Sequence, residues 1–449
     1  MILGNNSIAK WMQFGIVLVL ILFRFSYLEQ DVPPYCVGGI SQEDEVYYAL
    51  GGLTRHYEDI GQYANDVNSF IYTDGLSLCG IPLTYIGYKI FGNNYYGLRF
   101  PVVVVSLLIL LILAYLVRKT FSCENKILKF LIILLLISDF GLFTFSRYIN
   151  PQVFSVFIIS GTLAIFLTDL SEKWKYFFLA FLAFIALSVF YVYNAFLLGG
   201  VGLFVLIKSI GKRKAYPILY AFTGLICGVC FFQGLLSTVN EDVASVVQVI
   251  MNVNDVRPAI VSSESCFSLI KKIIGNVVSV FSTNILRYNP ILLWALVVGM
   301  VSTMSRLINR KKVQDIELLV FIVLIVMFLQ AAVANSYAFK KWIVILPMAY
   351  IYLVIVIRSL LIGAEKSKII AFGSTLTLLL FMYGMKLNYS KEYWGGADIE
   401  GYYENLNWAY IVSIFFILIA FMCAIFSLMR TGSTTLIKGS LALTSVLFI

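Results

Sequence analysis

The sequence is dominated by long apolar runs that are separated by short polar turns. An apolar helix of about 20 residues is long enough to cross the hydrocarbon core of a bilayer. Hydrophobic residues make up 60% of the 449 residues and charged residues only 13%, whereas a soluble globular chain is roughly a quarter charged. The sequence therefore predicts an all-α polytopic membrane protein, because a helix satisfies its own backbone hydrogen bonds in lipid.

The apolar runs predict about thirteen transmembrane helices. They lie near residues 11–28, 98–117, 127–146, 151–170, 175–192, 194–210, 215–236, 289–307, 317–336, 341–361, 367–385, 408–429 and 434–449. The fifth and sixth helices run nearly together across Tyr191–Asn194. We expect these helices to form a single transmembrane domain over residues 1–449, with no separate soluble domain.

The distribution of basic residues predicts the orientation of the chain. With the N-terminus in the cytoplasm, the cytoplasmic turns hold 20 of the 33 Lys and Arg residues but few of the acidic ones, as expected from the positive-inside rule. The net charge of +9 is therefore a topology signal and gives no reason to expect nucleic-acid binding. Abundant Ile, Lys and Asn are typical of an AT-rich bacterial genome, so we expect a bacterial plasma-membrane protein.

Three long polar segments fall on the outer side, at residues 29–97, 237–288 and 386–407. We expect function there, because the cytoplasmic turns are too short to fold. The first outer loop carries the acidic run Glu43–Glu45, and we predict amphipathic helices within the loop. Acidic residues beside an anionic membrane surface are costly unless they are used, although a solvated loop face is the alternative interpretation.

An ordered series of motifs follows these acids. Pro82-Leu83 lies in a short predicted helix, Phe91-Gly92 ends that helix, and Arg99-Phe100-Pro101 opens the next span. Together with Asp44-Glu45, the series resembles the polytopic GT-C glycosyltransferases, in the branch of the protein O-mannosyltransferases and the aminoarabinose transferases of lipid A. The resemblance is specific over about residues 41–105 and diffuse elsewhere.

The resemblance implies transfer of a sugar, with inversion, from a polyprenyl phosphate to a hydroxyl of a cell-envelope glycan, lipid or protein on the outer face. Asp44 matches the position of the family's general base, and a partly desolvated carboxylate accepts a proton more readily. Glu45 would orient Asp44 or contact a metal. The sequence leaves open whether a divalent cation binds at these two acids. His56, the single histidine, and scattered acids such as Asp74 offer few ligands for a metal ion.

A lipid phosphate leaving group needs nearby positive charge and not a proton. The predicted topology places four basic residues near the outer boundary, namely Arg99, Arg147, Lys340 and Lys341. Snorkelling at a span end is the alternative for Arg147, and interfacial anchoring is the alternative for the two lysines. Asp139, inside the third predicted span, is either functional or the ion-pair partner of Arg24.

Two other classes of membrane protein fit the composition. A transporter or flippase of a lipid-linked glycan would show midplane charges, interrupted helices and internal symmetry. An O-antigen-type polymerase would carry arginine-rich motifs in two large outer loops. The sequence shows few charges inside its spans, no internal repeat and only scattered arginines in its loops, so it favours the glycosyltransferase.

Overall fold

The computed structural model of the chain describes residues 80–92, 94–120, 151–190, 194–239, 290–333 and 343–361, and single residues between 15 and 25 and between 133 and 142. Every regular element among these residues is a helix. The helices are α1 (Gly80–Phe91), α2 (Tyr95–Thr120), α3 (Pro151–Phe166), α4 (Glu172–Ile185), a π-helical turn (Ala186–Phe190), α5 (Ala195–Lys212), α6 (Tyr216–Val239), α7 (Pro290–Ile308), α8 (Asp315–Val333) and α9 (Leu346–Leu361).

Four helical stretches in the described part of the chain are long and apolar enough to cross a membrane. They are Arg99–Thr120, Glu172–Phe190, Ala195–Lys212 and Tyr216–Leu235. Shorter apolar helices cover Gln152–Phe166, Ala295–Ile308 and Ile343–Val356. The all-α polytopic architecture is thus confirmed, and eight of the thirteen predicted spans coincide with a described helix. The full number of spans stays a prediction.

Two helices extend into segments that the sequence assigns to outer loops. The helix α2 begins at Tyr95, inside the predicted loop 29–97, and α6 ends at Val239, inside the predicted loop 237–288. At 26 residues, α2 is about 39 Å long, which exceeds the roughly 30 Å of hydrocarbon that apolar residues must cross. The apolar run therefore marks where lipid ends and not where the helix ends.

Ion pairs between helices gather at one end of the bundle. Lys119 at the end of α2 lies 3.4 Å from Asp169, just after α3, and Lys212 at the end of α5 lies 2.6 Å from Glu172 at the start of α4. Further pairs are Lys208–Asp315, which joins α5 to α8, and Arg306–Glu317, which joins α7 to α8. We call this the ion-pair end. The pairing agrees with the alternation of helix direction that the basic turns predict.

The Arg306–Glu317 pair belongs to a buried polar network. Glu317 is 1% exposed and also accepts a hydrogen bond of 2.6 Å from the hydroxyl of Thr303. The hydroxyl of Tyr352, on α9, lies 3.4 Å from that of Thr303. Because a buried carboxylate is stable only with compensating donors, this network ties the start of α8 to the last turns of α7 and to the middle of α9.

Close helix contacts occur at glycines. A Cβ atom added at Gly224 of α6 would overlap the backbone of Phe177 in α4, and one at Gly299 of α7 would overlap the ring of Tyr352 in α9. At Gly200 of α5, the added atom would lie 2.7 Å from a methyl group of Val323 in α8. Small residues at such crossings let helices approach closely, which is how helices associate in a membrane without a hydrophobic driving force.

Candidate functional site

The motif Phe91-Gly92 and the residues after it form a tight corner between α1 and α2. Gly92 has a φ of 85°, a left-handed conformation that favours glycine and ends α1 at Phe91. The side-chain amide of Asn94 then donates to the carbonyl of Phe91 at 3.1 Å, and its oxygen accepts from the backbone N–H of Gly97 at 2.6 Å. One asparagine therefore caps the end of α1 and the start of α2.

An aromatic cluster packs around this corner. The ring of Phe100 lies 4.5 Å from that of Phe91 and 5.8 Å from that of Tyr96, between ring centroids. Phe25, from the first predicted span, lies 5.3 Å from Phe100. The cluster brings the segment around residue 25 to the corner, which we call the corner end of the bundle because it is opposite to the ion-pair end.

The approach of α1 to α2 leaves no room for side chains where the two helices meet. A Cβ atom added at Gly87 would overlap the carbonyl oxygen of Gly97 and lie 2.8 Å from Cγ of Pro101. Pro101 has no N–H, so it cannot donate the usual helical hydrogen bond to Gly97, four residues earlier. The Phe-Gly and Arg-x-Pro motifs therefore belong to one tightly packed joint. The sequence predicts the order of these motifs along the chain but not their contact.

Arg99 is the one predicted site residue that falls in the described part of the chain. It lies in the second turn of α2, between the corner and the apolar part of the helix, and its side chain is 0% exposed. Removing a guanidinium from water is costly unless anionic or hydrogen-bonding groups compensate the charge. A buried arginine at this position suits either the binding of an anion or a structural ion pair.

A second arginine, Arg24, is also fully buried near the corner. Its Nη2 atom donates to the backbone carbonyl of Ile137 at 3.0 Å, which joins the first predicted span to the third. The residues that directly follow the two arginines, Phe25 and Phe100, have their rings in contact with each other. The bond reaches the segment that contains Asp139, the expected ion-pair partner, but Asp139 itself lies outside the described residues.

A group of buried polar side chains lies where α3 begins and α5 begins. The amide nitrogen of Asn194 donates to the hydroxyl of Ser155 at 3.0 Å and to the carbonyl of Ala186, the first residue of the π-helical turn, at 2.9 Å. The amide oxygen of Asn194 and both amide atoms of Gln152 are buried without a hydrogen-bond partner among the described residues. Each unpaired buried group costs about 1–3 kcal/mol, so these atoms represent a substantial cost.

The register of α2 and α3 places Gln152 at nearly the same level along the bundle as Arg99. Near the ion-pair end, the hydroxyl of Tyr115 donates to the carbonyl of Leu167 and Lys119 pairs with Asp169, so the two parallel helices are offset by 52 and 50 residues. Both helices rise by the same distance per residue. Extending this register by one helix length puts Gln152 level with residues 100–102, directly after Arg99.

Gln152 and Asn194 are absent from the residues that the sequence predicts for the site. We call them the amide pair. Ser155, which binds Asn194, lies three residues after Gln152 and thus on the same face of α3. Two features of the sequence could have pointed to these residues. Asn194 lies at the short interruption between the fifth and sixth predicted spans, and Gln152 lies at the start of an apolar run. Neither one indicates that Asn194 contacts Ser155, one helical turn from Gln152.

The remaining predicted site residues lie outside the described residues. They are Asp44, Glu45, His56, Asp74, Asp139, Arg147, Lys340 and Lys341. Their roles stay predictions, as do the roles of segments 237–288 and 386–407. Of segment 237–288 the structure describes only the first three residues, at the end of α6, and of segment 386–407 it describes none. Within the described part of the chain, no three His, Cys, Asp or Glu side chains come together in a way that could hold a metal ion.

Comparison with known proteins gives a fold and not a family assignment. No protein-family model matches the sequence, and no curated protein matches it. Among solved structures, the chain is similar to ArnT, an aminoarabinose transferase, from Cupriavidus metallidurans bound to undecaprenyl phosphate. The TM-score is 0.56 at 14% sequence identity, and the match covers 95% of this chain and 73% of ArnT. The apo form of the same ArnT gives a TM-score of 0.53 at 16% identity, with the same coverage.

The likeness confirms the GT-C-like arrangement of membrane helices that the motifs around residues 41–105 predict. It extends over nearly the whole chain, whereas the motifs cover only its first quarter. At this level of identity, the likeness concerns the arrangement of helices and not the chemistry of a site.

Proposed function

We propose that the protein is a membrane glycosyltransferase, which transfers a sugar from a polyprenyl phosphate to a hydroxyl group of a cell-envelope acceptor. The observation that carries the proposal is the likeness over 95% of the chain to ArnT, a protein whose structure contains undecaprenyl phosphate. The corner of α1 and α2 supports it, because the motifs shared with the GT-C glycosyltransferases are the residues that build this joint.

In the proposed reaction, the carboxylate of Asp44 takes the proton of the acceptor hydroxyl. The acceptor oxygen then forms a bond to the anomeric carbon of the sugar, and the bond from that carbon to the phosphate oxygen breaks. A single displacement of this kind inverts the configuration at the anomeric carbon. The bonding electrons leave with the lipid phosphate, so the leaving group needs positive charge nearby and no proton. Glu45 would orient Asp44 or bind a divalent cation.

Arg99, Arg147, Lys340 and Lys341 are the residues that we propose to surround the lipid phosphate. The burial of Arg99 at the corner supports its part in this set, because a charge held away from water interacts more strongly with a developing anion. We also propose that the ion-pair end faces the cytoplasm and that the corner end faces outward, because the turns at the ion-pair end are rich in lysine and arginine.

The test is a transfer assay in liposomes. Purified protein is supplied with undecaprenyl phosphate that carries a radiolabelled glucose, mannose or aminoarabinose, and a bacterial envelope extract serves as the acceptor source. The released undecaprenyl phosphate and the label in the acceptor fraction are measured. Asp44→Asn is compared with Asp59→Asn, a control that changes an acid of the same loop to which no role is assigned.

We expect the wild type and Asp59→Asn to transfer label, and Asp44→Asn to lose at least a hundredfold in rate, as is typical when a general base is removed. Equal rates for Asp44→Asn and the wild type would remove the proposed base. Movement of intact labelled lipid between the two leaflets, without release of undecaprenyl phosphate, would instead indicate a flippase.

A further inference from the structure

We propose that the amide pair, Gln152 and Asn194, binds hydroxyl groups of the sugar that is transferred. The inference rests on the proposed function and adds to it the location and chemistry of the sugar-binding subsite. Three buried polar atoms carry the inference, because they have no hydrogen-bond partner among the described residues and because both residues that bear them are 0% exposed.

The hydrogen-bonding capacity of the amide pair fits a hydroxyl-rich ligand. The amide nitrogen of Asn194 faces the carbonyl of Ala186, which only accepts hydrogen bonds, so the unpaired atom of Asn194 is its oxygen. Gln152 offers one donor group and one acceptor in either orientation of its amide. A ligand must therefore supply at least two donors and one acceptor.

Sugar hydroxyls meet this requirement, because each of them both donates and accepts. A phosphate group does not meet it, since the two amide oxygens would face its negative charge without a proton between them. The neutral amide pair and the cation of Arg99 are thus suited to different parts of one substrate, the sugar and the phosphate.

The position of the amide pair fits this division. The register of α2 and α3 places Gln152 directly after the level of Arg99, and a helix rises by about 1.5 Å per residue. The sugar of a polyprenyl-phosphate donor is bonded directly to the phosphate, so the two subsites must be neighbours. At their other end, α2 and α3 are joined by the ion pair of Lys119 with Asp169. These two charges compensate each other and do not require a ligand.

The π-helical turn offers a means of access to the amide pair. The three unpaired atoms are sealed from solvent, so a sugar reaches them only if a neighbouring segment moves. The turn Ala186–Phe190 contacts Asn194, which donates a hydrogen bond to the carbonyl of Ala186. Such turns hold one extra residue in an α-helix and are frequent at functional sites.

The test compares two ligands and three proteins by their dissociation constants in detergent. The ligands are undecaprenyl phosphate and undecaprenyl phosphate carrying glucose, mannose or aminoarabinose. The proteins are the wild type, Gln152→Met, and Ser160→Ala as a matched control. Ser160 is another buried polar residue of α3, but its hydroxyl is satisfied by the carbonyl of Val156 at 2.6 Å.

We expect at least one sugar-bearing lipid to bind the wild type and Ser160→Ala more tightly than undecaprenyl phosphate does. In Gln152→Met this preference should fall by about tenfold, which corresponds to the loss of one or two hydrogen bonds, while the affinity for undecaprenyl phosphate should stay unchanged. An unchanged preference in Gln152→Met would overturn the inference and leave the proposed function intact. Failure of every lipid to bind the wild type would count against both.

The thermal stability of the ligand-free proteins gives a second readout, which a structural role would move in the opposite direction. If Gln152 has no partner without the substrate, methionine removes an unpaired amide, and the melting temperature of Gln152→Met should equal or exceed that of the wild type. A clear loss of stability would show that the amide is already satisfied in the ligand-free protein. It would then belong to the packing of α3 and not to a subsite.

Discussion

Replacing Gly200 by alanine is expected to weaken the contact between α5 and α8, whereas the same change at Gly202 is expected to stabilise the protein. The Cβ atom added at Gly200 would lie 2.7 Å from Cγ2 and 2.8 Å from Cα of Val323. Ordinary Cβ contacts begin at 3.4 Å, so the two helices must separate by about 0.7 Å. At Gly202, nothing lies within 4 Å of the added atom.

The magnitudes follow from two opposing effects. Alanine is favoured over glycine inside a helix by about 1 kcal/mol, and this gain is the same at both positions. Overpacking of a well-packed contact costs about 1–3 kcal/mol, and this cost applies to Gly200 alone. We therefore expect Gly202→Ala to raise the free energy of unfolding by up to about 1 kcal/mol, and Gly200→Ala to lower it by up to about 2 kcal/mol.

The assay is reversible unfolding in mixed detergent micelles, followed by tryptophan fluorescence for both variants and the wild type. Val323→Ala in the Gly200→Ala background should recover only part of the loss, because it removes the methyl contact but not the contact with the backbone Cα atom. If Gly200→Ala proves as stable as Gly202→Ala, the close approach of α5 and α8 at this crossing is wrong.

Three further predictions concern the ion-pair end and the corner. Glu317→Leu should lower the free energy of unfolding by about 2–3 kcal/mol, because it leaves the guanidinium of Arg306 without its partner, and Arg306→Met in the same chain should restore most of the loss. Asn94→Ala should cost about 1 kcal/mol in the same measurement, whereas Asn94→Asp should cost less because it keeps the acceptor for Gly97. Gly87→Ala should displace α1 from α2 and reduce sugar transfer about a hundredfold in the liposome assay, and an unchanged rate would separate the corner from the active site.

Apolar runs and glycines carried most of the information about the fold. The runs located the described spans because lipid requires continuous apolar helices, and only their ends differ, since α2 continues beyond the hydrocarbon. The end of α1 was predictable from Phe91-Gly92, because a left-handed residue at that position favours glycine. The glycine contacts between distant helices, such as that of Gly200, were not predictable, because they depend on which helices become neighbours.

The candidate site was predictable only in part. Arg99 could be identified from the motif Arg99-Phe100-Pro101, since motif and charge are visible in the sequence. The ion pair of Arg24 with Asp139, one of two alternatives for Asp139, stays a prediction. The hydrogen bond of Arg24 to the backbone carbonyl of Ile137 was not predictable, because every residue carries such a carbonyl. The contact of Asn194 with Ser155 joins residues 39 positions apart, and a neutral amide inside an apolar span gives no charge signal.

The two ends of the bundle differ in the number of buried polar atoms without a partner among the described residues, and this difference supports the proposed subsite. At the ion-pair end, the charges of Lys212 and Lys208 are matched by carboxylates of neighbouring helices, so these groups stabilise the bundle without a ligand. Two buried atoms at that end, Oγ1 of Thr120 and Nε of Arg306, lack a hydrogen-bond partner among the described residues. At the corner end, the amide pair keeps three unpaired atoms close to the level of a buried arginine. Unpaired polar groups lower stability, so each of them calls for a partner such as an ordered water, an ion or a ligand. The corner end is therefore the part of the described structure in which the addition of a polar substrate would bring the largest gain in hydrogen bonding.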